Sequence, residues 1–279
     1  MNRLPASASS HTPSASSSQT HSSPAKSSTN DEYGHLLDGW SNQSGDELDR
    51  AWGRIADRVA PISSPAQHAV FAPMHYEKGY SYPLLIWLHS QGGSEHELRQ
   101  VMPHVSVRNY VAAAVRGAKT SAASQRSQGF CWRQSIDDTA EAADQVRRCI
   151  DQVSEQYNIH PDRIFLAGYE EGGTMALRVG LAHPEWFAGV ASLEGPMPRG
   201  NSPLLRVNEA RELPLLLAAC RDSQIYAEGR VAEDLRLLHS AGFSLALRQY
   251  PGDHDLTTEM LADLNRWIME QFSSATIIR

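Results

Sequence analysis

The sequence predicts an α/β fold in which a mostly parallel central sheet carries helices on both faces. Two observations predict it. Short runs such as Pro83–His89 and Tyr110–Val115 are apolar at nearly every position, as strands buried on both faces are. These runs alternate with longer segments whose apolar residues recur at helical spacing, the signature of right-handed βαβ units. At 279 residues the chain is long enough for one large domain with a substantial core.

The elements follow in order. Residues 1–30 are rich in Ser, Ala, Thr and Pro and hold too little apolar surface to offset chain entropy, so they read as a disordered tail. His11 and His21 stand singly in it, without metal-ligand spacing. Residues 31–66 read as a helical extension, because Leu48, Trp52, Ile55 and Val59 fall on one face of a helix over Asp46–Val59. The folded domain then spans 67–279. His68–Ala72 is a first strand and Pro83–His89 a second. Gly92-Gly93 breaks the chain, and Ser94 with Glu97 forms the S-x-x-E capping box of a helix start. Tyr110–Val115 is a buried strand ending near Gly117. After a loop over Ser121–Gly129, Ile136, Ala140, Ala143, Val146, Ile150, Val153 and Tyr157 mark a long crossover helix. Strand Arg163–Ala167 and helix Thr174–His183 follow. Strands at Phe187–Leu193, Leu213–Ala219 and Ser244–Tyr250 then alternate with helices at Glu228–Ser240 and Leu256–Phe272.

Bulk properties exclude several classes of function. A formal net charge of −7 gives no electrostatic case for nucleic acid or an anionic membrane surface. Cys131, Cys149 and Cys220 are widely spaced and form neither a C-x-x-C pair nor a disulfide framework, which fits a reducing compartment. No apolar run approaches the roughly 20 residues that span a bilayer. Arg3 has no apolar stretch behind it, against a secretory signal. A cytoplasmic protein is expected. His96-Glu97-Leu98-Arg99-Gln100 begins like the H-E-x-x-H zinc motif but ends in glutamine. With no Walker loop and no G-x-G-x-x-G after a strand, neither a metal nor a nucleotide cofactor is expected.

The most informative stretch is Gly168-Tyr169-Glu170-Glu171-Gly172. It lies between a strand and a helix and has the frame of the G-x-S-x-G nucleophile elbow, but its central residue is Glu170. Three further landmarks stand at strand ends: Leu88-His89-Ser90-Gln91-Gly92-Gly93, Ala219-Cys220-Arg221-Asp222-Ser223, and Tyr250-Pro251-Gly252-Asp253-His254. In this order they resemble the α/β-hydrolase superfamily, most closely its phospholipase/carboxylesterase branch, which includes acyl-protein thioesterases. The resemblance covers roughly Ala69–Gln271.

It implies an α/β-hydrolase fold with Glu170 at the nucleophile position and His254 as the base. Strict spacing puts Ser223 at the acid position, with Asp222 one residue early. The oxyanion donors would be the backbone N–H groups of Gln91 and Glu171. Trp132 is a candidate for the pocket rim, and Ser90, beside the oxyanion loop, is a second candidate nucleophile.

A carboxylate at the elbow accepts hydrogen bonds but donates none, and its charge favours a protonated histidine. It is also able to fold into the oxyanion hole. Serine-type hydrolysis is therefore expected to be impaired, leaving a pseudohydrolase whose cleft holds a small acyl or aromatic ester-like ligand or a protein partner. The alternative is a hydrolase resembling haloalkane dehalogenases and epoxide hydrolases, in which the Glu170 carboxylate attacks carbon and His254 activates water.

Overall fold

The computed structural model describes residues 68–120 and 129–276. The expected tail, the helical extension over 31–66 and most of the 121–129 loop lie outside the described residues. Seven strands form the central sheet, in the order β1-β3-β2-β6-β7-β8-β9. They are β1 (His68–Phe71), β2 (Tyr82–Leu88), β3 (Val111–Val115), β6 (Ile159–Tyr169), β7 (Gly189–Leu193), β8 (Leu215–Cys220) and β9 (Leu245–Tyr250). All neighbours run parallel except β1, which pairs antiparallel to β3 at the edge. A short hairpin, β4 (Ala118–Lys119) with β5 (Phe130–Cys131), stands apart from the sheet.

Period-two alternation along β2 explains the layering. Leu84, Ile86 and Leu88 face one core, and Leu85 and Trp87 face the other. The first core is closed by α2 (Ile136–Gln156) and α3 (Glu171–Ala182), the second by α1 (Leu98–Val105) and α6 (Thr258–Thr276). Both faces of the strand are thus dry, so its near-continuous apolar sequence has no solvent-facing positions to fill. The short α4 (Val207–Ala210) and α5 (Glu228–Ser240) complete the chain.

Two local expectations change. The stripe on α2 starts later than its periodicity suggests: Ile136 is 69% exposed, and the buried residues run from Ala142 to Val153. The first turn overhangs the sheet, where Ser135 caps it by accepting the Asp138 N–H at 3.1 Å. The capping box at Ser94 also forms only in part. Ser94 accepts the His96 N–H, but Glu97 turns inward instead of reaching back. Its carboxylate accepts from the Trp87 indole at 2.8 Å and the Ser90 hydroxyl at 2.6 Å. A buried indole N–H and a strand-end hydroxyl are stronger claims on a carboxylate than an exposed cap.

No helix among the described residues is long and apolar enough to cross a membrane. The three cysteines are free thiols.

Candidate active site

Parallel strands deliver β2, β6, β7, β8 and β9 to one carboxyl edge, and every candidate residue lies just beyond a strand end. β6 stops at Tyr169 and α3 begins at Glu171, so one residue makes the whole reversal. Glu170 does it with φ +52° and ψ −119°, a conformation costing a non-glycine residue on the order of 1–3 kcal/mol. Hydrogen bonds fix the turn from both sides. The Glu170 N–H donates to Leu193 O at 2.9 Å, and the Glu170 carbonyl accepts the Thr174 N–H at 3.0 Å. Glycine is needed at 172 because a Cβ there would lie 2.2 Å from Leu88 O and 2.4 Å from His89 O. The close approach seats α3 against the end of β2 and leaves Glu170 standing at the edge.

Opposite stands the loop after β2. Gln91 is exposed, and its backbone N–H favours the charged form of the Glu170 carboxyl. His89 beneath it is fully buried, its ring nitrogen accepting the Gly117 N–H at 3.0 Å, and burial lowers its pKa to about 4. Trp132 is 4% exposed and donates its indole N–H to His89 O at 2.9 Å. It therefore supports the loop from below, while its edge joins Met175, Ala142 and Arg133 around a small adjacent cavity. The Ser90 hydroxyl is committed to Glu97 as a donor. Glu171, expected to lend its N–H to an oxyanion, also accepts the Trp132 N–H on its side chain at 3.3 Å.

His254 follows β9 on a loop that the Tyr169 hydroxyl ties down by donating to the His254 carbonyl. Its Nδ1 faces Asp253 Oδ1 at 3.0 Å, and the side chain is 45% exposed. The Asp253 bond, and after it the charges of Asp253, Glu170 and Asp255, raise the His254 pKa above its ordinary value. Glu170 answers in kind. Burial raises its carboxyl pKa, opposed by the Gln91 N–H and the His254 charge, while Glu97 and Glu171 add like-charge repulsion. Elbow carboxylate, oxyanion-loop N–H and imidazole lie near enough to shift one another's charge balance.

The two acid candidates are not. Asp222 is exposed, and its backbone N–H donates to Gly252 O at 3.0 Å. Ser223 is 2% exposed, with its hydroxyl accepting the Tyr226 N–H at 3.0 Å. Neither is hydrogen-bonded to His254. The backbone after β8 pairs with the start of the histidine loop through Arg221 and Asp222, and Ser223 then turns inward to Tyr226.

Sequence reasoning passes over a further carboxylate, Glu194. It sits one residue past β7 with φ +56° and is fully buried. One of its oxygens accepts the Cys220 N–H, and the other has no hydrogen-bond partner. Burial raises its pKa, against the pull of the nearby Ser223 hydroxyl, the Cys220 N–H and the His254 charge. The signal was a lone charge directly after the apolar run Phe187–Leu193 and before Gly195.

Comparison with known proteins agrees with this architecture. Residues 124–271 match the phospholipase/carboxylesterase family. A Nocardia uniformis protein named as the esterase NocK is 31% identical over 140 residues, 48% of this chain and 38% of that protein. The Arabidopsis thaliana carboxylesterase SOBER1 is 30% identical over 146 residues, 50% of this chain and 62% of that protein. The chain thus spans about half the length of such curated relatives. Among solved structures, a Mesorhizobium loti carboxylesterase superposes with a TM-score of 0.62 at 18% identity, covering 76% of this chain and 99% of that one.

Proposed function

This chain belongs to the phospholipase/carboxylesterase family, and we propose that it is a member in which Glu170 takes the place of the nucleophilic serine. Serine-type ester hydrolysis is impaired, and the cleft binds an ester-like acyl or aromatic ligand, or a protein partner, without turning it over. One observation carries this reading: Glu170 stands at the strained elbow turn, φ +52°, with the Gln91 N–H near enough to its carboxylate to favour the charged form. An oxyanion hole stabilises a charge that develops only in the transition state. A donor already engaged by a resident carboxylate offers little preference for that state over the ground state. The raised pKa of His254 works in the same direction, because a protonated imidazole accepts no proton from a nucleophile or water.

The test is a fluorophosphonate probe together with short p-nitrophenyl esters, applied to the intact protein. No serine should be labelled and no turnover should exceed background, while short-chain acyl ligands perturb the resonances of residues around Gln91 and His254. Stoichiometric labelling of any serine would overturn the reading.

A second reading is supported by the mutual charge interaction of Glu170 and His254. In it the carboxylate attacks a saturated carbon of a halide or epoxide, breaking that carbon's bond to halogen or ring oxygen and forming a covalent ester; the neutral fraction of His254 then deprotonates a water that attacks the ester carbonyl, releasing the alcohol and regenerating Glu170. A single turnover in ¹⁸O water would then place label in Glu170.

A further inference from the structure

We propose that Glu97 is the positioning residue of the oxyanion loop: its carboxylate grips Ser90 so that the Gln91 N–H faces the cleft. This rests on the reading of that N–H as the site's oxyanion donor.

The peptide groups on either side of Ser90 present two carbonyls and two N–H groups, each of which needs a partner. All but one are bonded to the body of the protein. The His89 carbonyl accepts the Trp132 indole N–H at 2.9 Å. The Ser90 N–H donates to Glu97, at 3.0 Å to Oε2 and 3.3 Å to Oε1. The Ser90 carbonyl accepts the Gly93 N–H at 3.1 Å and lies 2.7 Å from His89 Nδ1.

The His89 contact has only one polarity. Its Nε2 accepts the Gly117 N–H at 3.0 Å, so in the neutral ring Nδ1 carries the proton and donates. Burial keeps the ring neutral near pH 7 by lowering its pKa to about 4. A trans peptide points its N–H away from its C=O. With the Ser90 carbonyl turned inward on these donors, the Gln91 N–H points the other way, where it acts on the Glu170 carboxylate.

Glu97 ties this arrangement to the sheet. It closes the single turn Glu95–Glu97 that leads into α1. Besides the Ser90 N–H, it accepts the Ser90 hydroxyl at 2.6 Å and the Trp87 indole at 2.8 Å. Trp87 is fully buried in β2, so one carboxylate grips Ser90 by backbone and side chain while the core grips the carboxylate. The fit is close: a Cβ at Gly93 would lie 2.8 Å from Glu97 Oε2 and 3.0 Å from Ser90 Oγ. Both carboxylate oxygens accept, so an amide in the same place must turn its NH2 against either Trp87 or Ser90.

The experiment compares the native full chain with Glu97→Gln and Glu95→Gln. Glu95 lies in the same turn but pairs with Arg116 and not with Ser90. The N–H residual dipolar coupling of Gln91 reports the direction of that bond and needs no turnover. Glu97→Gln should swing the bond by more than about 10–20°, whereas Glu95→Gln should lose stability and leave it in place. Added to Glu170→Ser, Glu97→Gln should lower kcat for a short p-nitrophenyl ester by about 10²-fold with KM little changed, a split that lost stability alone does not produce. Where Glu97→Gln does not fold, Ser90→Ala removes only the hydroxyl contact and should still swing the bond. An unmoved Gln91 bond in the folded variant, an equal swing in Glu95→Gln, or an unchanged kcat in an active Glu170→Ser chain overturns the proposal. A Glu170→Ser chain that hydrolyses nothing defeats the functional reading instead, and the bond direction still decides this one.

Discussion

The backbone N–H of Gln91, on the loop after β2, acts on the carboxylate of Glu170, on the turn after β6, and favours its charged form. In the proposed reading this N–H is the oxyanion donor, and the carboxyl of Glu170 competes for it. Most expected behaviour of this molecule follows from that pairing and from the backbone strain that presents it.

Glu170→Gly should stabilise the fold. The substitution relieves a non-glycine residue at φ +52° and removes a carboxyl that burial disfavours. Chemical denaturation should show a gain of about 1–2 kcal/mol. A loss would mean that the Glu170 contacts outweigh its strain.

Gly172→Ala should do the opposite. The added methyl would meet two backbone carbonyls, Leu88 O and His89 O, which have no rotamer to yield. A loss of about 3 kcal/mol is expected, with separation of α3 from β2 visible as faster amide exchange at Glu171–Thr174.

How much of this was legible in the sequence depends on whether the constraint is steric or electrostatic. A strand that reverses into a helix within one residue needs glycines at fixed offsets, and Gly168 and Gly172 announce it. Strands buried on both faces are equally plain, because every position from Leu84 to Leu88 must be apolar. Carboxylate partners are not written that way. Ser223 has the family spacing and Asp222 stands one residue early, yet neither is hydrogen-bonded to His254, and the Ser223 hydroxyl accepts from Tyr226. Glu97 has capping-box spacing, yet Trp87 and Ser90 claim it. Glu194 looks like an ordinary loop residue until β6 and β8 are placed on either side of it. Spacing specifies the backbone path, whereas the partner of a charge depends on what the tertiary fold brings within reach.

The buried carboxyls should contribute stability that declines as pH rises through the mildly acidic range, opposite in sign to the contribution of His89, whose pKa burial lowers to about 4. Burial raises the pKa values of Glu97, Glu170, Glu171 and Glu194 above the ordinary glutamate value of 4.5. Between that value and the raised one, the folded state holds more protons than the unfolded state, so the unfolding free energy falls with increasing pH. His254 adds to the trend: its raised value stabilises the fold below 6.5 and is lost as pH climbs through the folded value. Urea melts should show that, between pH 5 and pH 7.5, the native chain loses stability relative to Glu194→Gln.

Trp132→Phe should leave the buried His89 carbonyl without its donor. The expected loss is about 1–2 kcal/mol. The amide resonances of Ser90 to Gly92 should broaden as the loop loses its support, and ligand affinity should weaken with them.

The most direct measurement of the central claim compares the native chain with Glu170→Ser for fluorophosphonate capture and hydrolysis of a short p-nitrophenyl ester. The account predicts an inert native chain and a variant that labels at the new hydroxyl and turns over ester, because the Gln91 donor is freed and His254 has a proton to accept. Rapid labelling and turnover by the native chain, undiminished when Glu170 is replaced, would contradict it.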